Sequence, residues 1–216
     1  MTGGMNLLAL IRHGTSVYNE RGLWTGHIDV ELSKKGRDDA VNMASHLKEI
    51  NFHAGHSSSL KRARETLEIM LAALGLEAIP KHIHRALIER HYGVHQGKNK
   101  WEIKKEVGEE EFFRIRRGFD HPIAGGETGR QVCTRVAAWY ESEFLPKAKK
   151  HGGNHLIVAH GNSLRALVTR LEGLTPSQFS SLEFGFGEVW IYSIERKSGK
   201  VGKKVIKGEN PQKGKV

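Results

Sequence analysis

The sequence of 216 residues contains one cysteine, Cys133, and no long apolar run. A single cysteine excludes an internal disulfide framework and is typical of a reducing compartment, so we expect a cytoplasmic protein. A membrane span needs roughly 18 consecutive apolar residues, and the longest runs here have only the length of a strand. The N-terminus lacks the charged and then apolar pattern of a secretory signal. We therefore expect no membrane association.

Aromatic residues are also scarce, at 7%, whereas positive charge is abundant. Lysine and arginine number 34 against 24 acidic residues, a net charge of +10 that indicates an anionic partner. Too few aromatic residues alternate with the basic ones to form a stacking platform for bases, which disfavours nucleic acid. A basic protein that binds nucleic acid or another polyanion remains the alternative from a different class. The positive charge gathers instead where a small polyanion would bind.

The order of apolar runs and helix signals predicts an α/β protein. Strands are predicted at 7–11, 52–57, 77–83, 155–159 and 188–194, with 203–207 able to pair beside the last. Helices are predicted at 34–50, 58–74 and 163–171, in a long segment that starts at Gly125, and after Thr175. Strands that alternate with helices favour a three-layer α/β/α sandwich with a mainly parallel sheet. We expect one domain, 1–216, with a cap of short helices at about 85–124 and a basic, mobile tail at about 197–216.

Two predicted strands end in similar strings. The first leads into Arg12-His13-Gly14 and another leads into His160-Gly161-Asn162. Ligands of α/β sheets bind at the carboxyl ends of the strands, and a neutral imidazole beside an arginine can attack and hold a phosphoryl group. A single histidine at a strand end is more often structural, and the chain has 13 histidines, so these strings alone leave both interpretations open.

Longer strings resemble a known family. The segment 12–19, with Thr25-Gly26 and Leu32-Ser33, resembles the first motif of the histidine phosphatase superfamily, and 58–66 around Arg62 resembles its second arginine motif. The strings 89–100, 116–119 and 160–167 are similar to those of the cofactor-dependent phosphoglycerate mutases. The resemblance extends over about 7–192, with the motifs in the order of the family.

This resemblance implies a phosphohistidine mechanism that interconverts 3-phosphoglycerate and 2-phosphoglycerate in glycolysis and gluconeogenesis. His13 would be the nucleophile, primed by 2,3-bisphosphoglycerate, and Glu89 the general acid and base. Arg12, Arg62 and His160 would surround the phosphoryl group, and no metal is expected because these side chains supply the positive charge. The residues expected to bind substrate are Ser16, Asn19, Thr25, Gly26, Arg90, Tyr92, Lys100, Arg116, Arg117, Gly161 and Asn162.

The same strings leave one alternative within the superfamily. A phosphatase, or a bisphosphoglycerate mutase/phosphatase, would use the same phosphohistidine but pass its phosphoryl group to water. The expected partners are small phosphorylated metabolites in either case, and a homo-oligomer is possible because related proteins commonly form dimers or tetramers.

Overall fold

The computed structural model describes residues 4–209, and within them six strands form one sheet in the order β3-β2-β4-β1-β5-β6. The strands are β1 (Met5–Arg12), β2 (Phe52–Ser57), β3 (Lys81–Ile83), β4 (Asn154–Ala159), β5 (Val189–Glu195) and β6 (Val201–Lys207). Strands β1 to β4 are parallel to one another, whereas β5 runs antiparallel to β1 and β6 antiparallel to β5. The sheet is therefore mainly parallel, as predicted.

Helices cover both faces of the sheet. They are α1 (Val17–Glu20), α2 (Lys34–Ser45), α3 (Lys61–Ala73), α4 (Lys100–Arg117), α5 (Gly129–Trp139), α6 (Leu145–His151), α7 (Gly161–Glu172) and α8 (Pro176–Ser181). Alternate residues of β1 point to opposite sides: Ala9 and Ile11 pack towards α2 and α3, and Leu8 and Leu10 towards α5 and α7. The three-layer α/β/α prediction is confirmed. None of the helices in 4–209 is long and apolar enough to cross a membrane.

Local signals explain where several elements begin and end. The Ser33 side chain accepts a hydrogen bond from Gly36 N and starts α2, which ends at Ser45 instead of continuing to 50 as predicted. The predicted strand 77–83 is reduced to β3 because Pro80 has no N–H to donate to a neighbouring strand. Between α5 and α6, a π-helical turn over Tyr140–Phe144 precedes Pro146, whose ring cannot fit a regular helical turn.

The cap contains α4, which is interrupted near its middle. Gly108 has φ 81° and ψ 170°, so two helical halves meet at a non-helical residue, within the region predicted as a cap of short helices. The cap has its own apolar cluster, formed by Trp24, Tyr92, Ile103, Phe112, Ile115 and Ile123. This cluster holds both halves of α4 over the carboxyl ends of the strands.

Residues 201–207 form β6 on the edge of the sheet, so the predicted pairing of 203–207 beside the preceding strand is confirmed, and this part of the predicted mobile tail is an edge strand instead. Two of its lysines make defined contacts. Lys204 Nζ lies 2.6 Å from a Glu172 carboxylate oxygen, and Lys207 Nζ donates to the His46 carbonyl at 3.1 Å. Lysines on an edge strand also discourage pairing with other chains. Residues 210–216 of the predicted tail lie outside the described residues.

Several histidines surround a cavity of about 490 Å³ at the opposite edge of the sheet. His56 on β2 is buried, with its Nδ1 3.1 Å from His84 Nε2 and its Nε2 3.1 Å from His155 Nδ1. Burial, together with the nearby imidazoles, lowers the pKa of His56 to about 2. The other titratable groups around this cavity are His53, His82, Glu143, Lys147 and His151. The folded protein therefore keeps His56 neutral.

A neutral buried histidine makes stability depend on pH. Below the ordinary pKa of 6.5, the unfolded chain binds a proton at His56 that the folded chain does not, so the free energy of unfolding falls as the pH falls. Between about pH 7 and about pH 5 we expect His56 to contribute a loss of about 2 kcal/mol, measured by urea unfolding.

His56→Gln keeps one donor and one acceptor but cannot bind the proton, so it should remove this part of the pH dependence. The matched control is His46→Gln, at an exposed histidine just after α2, which should unfold with the pH dependence of the wild type. Equal pH dependence in wild type and His56→Gln would contradict the assignment.

Candidate active site

His13 and His160, which follow two of the predicted strands, lie next to each other in the structure. Arg12 at the end of β1 pairs in register with Ala159 at the end of β4, and His13 N donates to the Ala159 carbonyl at 2.9 Å. The imidazole rings of His13 and His160 are 4.9 Å apart between their centres. Adjacent parallel strands therefore deliver both rings to one place at the carboxyl edge of the sheet.

His13 is held in one orientation and one tautomer. Its Nδ1 lies 2.7 Å from the Gly14 carbonyl, which can only accept, so Nδ1 carries the proton and Nε2 keeps its lone pair. Arg62 Nε donates to this Nε2 at 3.3 Å. Burial and the positive charges of Arg62 and Arg12 lower the pKa of His13 well below its ordinary value. The imidazole is therefore neutral near neutral pH, with Nε2 available as a nucleophile.

The loop after β1 can adopt this path because it contains a glycine that packs against another. A Cβ on Gly14 would overlap the carbonyl oxygen of Gly36 at the start of α2. A Cβ on Gly36 would in turn overlap the carbonyl oxygen of Thr15. The close approach of these two backbones requires glycine at both positions. It fixes the backbone directly beside His13.

His160 lies behind the nucleophile and is completely buried. Its Nε2 is 2.6 Å from Ser58 Oγ, which lies just beyond the end of β2. Burial and the neighbouring Arg62 lower the pKa of His160 well below its ordinary value. His160 therefore contacts His13 but does not itself line the cavity. Ser58 was not among the predicted site residues, although its place in the second arginine motif was a signal for it.

Glu89 is buried with its carboxylate held from one side. Its Oε1 accepts from Arg90 N at 2.8 Å and from Asn162 N at the start of α7 at 3.1 Å. Its main-chain carbonyl accepts from an Arg135 guanidinium nitrogen at 3.0 Å and is 2.8 Å from His27 Nε2. The carboxylate lines the same cavity as His13, so it is fixed in place beside the nucleophile.

The cavity beside His13 has a volume of about 80 Å³ and is strongly cationic. Its basic residues are Arg12, Arg62, Lys100, Arg116, Arg117 and Arg165, and Glu89 is the one acidic residue of its described lining. Three buried polar atoms of residues that line it, Arg12 Nε, Trp24 Nε1 and Thr25 Oγ1, have no hydrogen-bond partner among the described residues. Buried polar groups are nearly always paired, and donors of this kind fit an anionic ligand.

Most of the predicted substrate-binding residues line this cavity. They are Asn19, Thr25, Gly26, Tyr92, Lys100, Arg116, Arg117, Gly161 and Asn162. Asn162 Nδ2 donates to the Tyr92 hydroxyl at 2.8 Å, which joins α7 to the cap. Burial and the charges of Arg116 and Arg12 lower the pKa of Lys100 to about 7.

Two predicted substrate-binding residues do not reach the cavity. The Arg90 guanidinium is completely buried and donates instead to backbone carbonyls of the cap. These carbonyls belong to Ile115, Gly118, His121 and Glu127. Ser16 caps α1 and donates from its hydroxyl to Asn19 Oδ1 at 2.7 Å. Arg90 therefore holds the cap together, and Ser16 orients Asn19.

Besides Ser58, the sequence analysis did not include Arg165 and Phe186. Arg165 on α7 donates to Asn162 Oδ1 at 2.9 Å and to the Phe179 carbonyl, and it lines the cavity. The guanidinium carbon of Arg12 lies over the Phe186 ring, 3.7 Å from the ring centre, so the two side chains pack together. Arg165 stands inside a motif string, which was its signal, whereas the contact of Phe186 depends on the path of the 183–188 loop.

A neutral histidine inside a group of guanidinium side chains defines a site for phosphoryl transfer. The model of the histidine phosphatase superfamily (branch 1) matches residues 8–206, and the chain belongs to this superfamily. The resemblance found in the sequence is confirmed at this level. Among 4–209, no group of three or more His, Cys, Asp or Glu side chains is arranged to hold a metal ion.

Named relatives include both mutases and phosphatases. The chain is 38% identical over 203 residues to the 2,3-bisphosphoglycerate-dependent phosphoglycerate mutase of Parvibaculum lavamentivorans, which covers 93% of this chain and 96% of the relative. Bacillus stearothermophilus YhfR has a TM-score of 0.77 and 27% identity, covering 91% of this chain and 94% of that one. A mycobacterial glucosyl-3-phosphoglycerate phosphatase complexed with VO3 has a TM-score of 0.74 and 26% identity, covering 95% and 99%.

The structure assigns different roles to Arg90 and Arg116, and conservative variants can separate them. A lysine at position 90 cannot reach the carbonyls that the guanidinium joins, so Arg90→Lys should lower the free energy of unfolding by about 2–4 kcal/mol. Arg116→Lys should weaken sulfate binding, measured by calorimetry, with little change in stability. If Arg90→Lys instead weakened sulfate binding and left stability unchanged, Arg90 would contact the ligand.

Lys100 makes anion binding depend on pH. The side chain is protonated below its pKa of about 7, so sulfate affinity should fall as the pH rises above that value, by at most about tenfold per pH unit. Lys100→Arg keeps the positive charge and should remove this fall. The control is Lys104→Arg, one turn further along α4 at a lysine paired with Glu109, which should behave as the wild type. An unchanged pH profile in Lys100→Arg would contradict the assignment.

Proposed function

We propose that this protein is a 2,3-bisphosphoglycerate-dependent phosphoglycerate mutase that interconverts 3-phosphoglycerate and 2-phosphoglycerate. One observation carries the proposal: the cap residues Tyr92, Lys100, Arg116 and Arg117 line the same cavity as His13. A substrate with a single phosphate group and no other charge would need only the cations next to His13. The further cations of the cap supply charge for a second anionic group, as the carboxylate of a phosphoglycerate or the second phosphate of the bisphosphate requires.

The site has the features that transfer to and from His13 requires. The lone pair of His13 Nε2 attacks phosphorus, and the bond to the ester oxygen breaks. Arg62 already contacts that nitrogen, and Arg12 offers its unpaired Nε, so both guanidiniums can bind the equatorial oxygens as charge develops on them. When bound, 2,3-bisphosphoglycerate supplies the phosphoryl group that primes His13. The unpaired atoms and the cations of the cavity fit such a polyanion.

Glu89 would act as the general acid and base. Its Oε1 is occupied by two backbone N–H groups, whereas Gly161 leaves space beside Oε2: a Cβ there would lie 3.7 Å from that oxygen. Oε2 can therefore accept the proton of a substrate hydroxyl as it attacks the phosphoryl group, and return it to the leaving oxygen in the reverse step. The carboxylate stays in one place because its main-chain carbonyl is also held.

A phosphatase is the second candidate, because the site is open to water. The cavity beside His13 shares part of its wall with a second cavity of about 660 Å³, through which water can reach the phosphoryl group. The two activities differ only in whether water or a phosphoglycerate hydroxyl accepts that group. The names of the structural relatives include a phosphatase as well.

The test is a coupled assay with 3-phosphoglycerate, run with and without 2,3-bisphosphoglycerate. We expect strong activation by the bisphosphate, no loss of activity with a chelator, and a loss of at least about 10⁴-fold in His13→Ala. His151→Ala, at an exposed histidine on α6, is the matched control and should retain full activity.

Each result distinguishes the candidates. Release of inorganic phosphate from phosphoglycerates without formation of the isomer would assign the protein as a phosphatase. Activity that survives in His13→Ala would refute the phosphohistidine for either enzyme.

A further inference from the structure

Two cavities meet above His13, and they differ greatly in size. The inner cavity of about 80 Å³ surrounds His13, and the outer cavity of about 660 Å³ opens beyond it. They share a wall formed by Arg12, Asn19, Lys100, Arg116, Arg117 and Phe184. Sites for ligands of moderate size usually measure about 300–1,000 Å³. The outer cavity is therefore large enough for a group that a phosphoglycerate does not have.

The outer cavity also differs in charge. Apart from the shared wall, its charged residues are two basic ones, Arg21 and Lys35, and two acidic ones, Glu20 and Glu183. Lys35 is in addition paired with Asp39, at 2.7 Å between Nζ and Oδ1. Beyond the shared wall, two positive and two negative charges cancel, in contrast to the strongly cationic inner cavity. This part of the outer cavity is therefore suited to an uncharged group, whereas the cations of the shared wall lie on the side of the phosphate.

An indole ring lines this cavity. Trp101 is 48% exposed and stands in the first turn of α4, where the Asn99 side chain accepts from Trp101 N at 2.8 Å. The backbones of Leu23 and Asn99 are bridged, and a Cβ on Gly22 would lie only 2.8 Å from the indole nitrogen. Gly22 has φ +68°, so both its conformation and its lack of a side chain make room for the ring.

We propose that Trp101 and the outer cavity form a subsite for the uncharged ring of a phosphate monoester larger than phosphoglycerate. The exposed face of the indole stacks on the flat apolar face of the ring, while the phosphate occupies the inner cavity. The proposal deepens the proposed function in one respect: it rests on a phosphoryl group being bound at His13. It adds ring-bearing monoesters as a class of substrate.

The reaction with such an ester uses groups already described and water. His13 Nε2 forms a bond to phosphorus as the bond to the ester oxygen breaks, and protonated Glu89 gives its proton to the departing alkoxide. Water then attacks the phosphorus of phosphorylated His13, the N–P bond breaks, and Glu89 takes the proton of the attacking water. The products are the ring-bearing alcohol and inorganic phosphate.

The first experiment measures binding without turnover, in the His13→Ala protein. Calorimetry compares 1-naphthyl phosphate, glucose 6-phosphate and sulfate, first with Trp101 and then with Trp101→Ala. We expect Trp101→Ala to weaken the binding of 1-naphthyl phosphate about tenfold, because stacking on an aromatic side chain contributes about 1–3 kcal/mol. The binding of sulfate should not change. The matched control is Phe113→Ala, at an aromatic residue of α4 that is 50% exposed and does not line either cavity.

The second experiment measures phosphate release from 1-naphthyl phosphate by the protein with His13 intact. Trp101→Ala should raise KM about tenfold with little change in kcat. In the calorimetry, weaker binding of glucose 6-phosphate to Trp101→Ala would extend the subsite to sugar rings, and unchanged binding would restrict it to aromatic rings.

Equal binding of 1-naphthyl phosphate with and without the indole would overturn the proposal, and so would an equal loss of sulfate affinity in Trp101→Ala. Absence of sulfate binding in every protein would instead refute the phosphate site on which the proposed function itself depends. If the protein had no mutase activity but Trp101→Ala still weakened the binding of 1-naphthyl phosphate, the subsite would be supported and only the assignment as a mutase would be refuted.

Discussion

The site depends on the burial of one uncharged imidazole between two guanidinium groups. Arg62 and Arg12 repel a proton from His13, burial removes the water that would stabilise the charged form, and the Gly14 carbonyl fixes the remaining proton on Nδ1. All three effects leave the lone pair on Nε2, the atom that Arg62 contacts. The same guanidiniums that keep the ring neutral are therefore those that would bind a phosphoryl group on it.

The rest of the molecule keeps these charges together at close range. Cations in one small cavity repel each other, so the backbone around them must be held by other contacts. On the side of the sheet, the pairing of β1 with β4 holds this backbone. On the side of the cap, the buried Arg90 holds it by binding several backbone carbonyls. An anionic ligand would offset this repulsion, and the unpaired donors of the cavity wall fit such a ligand.

Sequence patterns predicted the sheet and the two histidines well because local signals determine both. Apolar runs mark the buried strands, and strand ends carry the loops in which His13 and His160 lie. The roles of Arg90 and Arg116 could not be separated from sequence, because an arginine that binds carbonyls looks the same as one that binds a ligand until the fold of 115–127 is known. Strand β6 shows a related limit: its exposed lysines resemble a solvated tail, so the sequence placed 203–207 both in a possible strand and in the predicted tail, and only the pairing with β5 decides for the strand.

The break at Gly108 separates two functions that one helix would otherwise join. The half of α4 before it carries Lys100 and Trp101, and the half after it carries Arg116 and Arg117. Because the helical geometry stops between them, a change in the tilt of one half is not transmitted through a continuous row of hydrogen bonds to the other. A substitution that reorients the first half therefore leaves the helical backbone beneath the arginine pair of the second half in place.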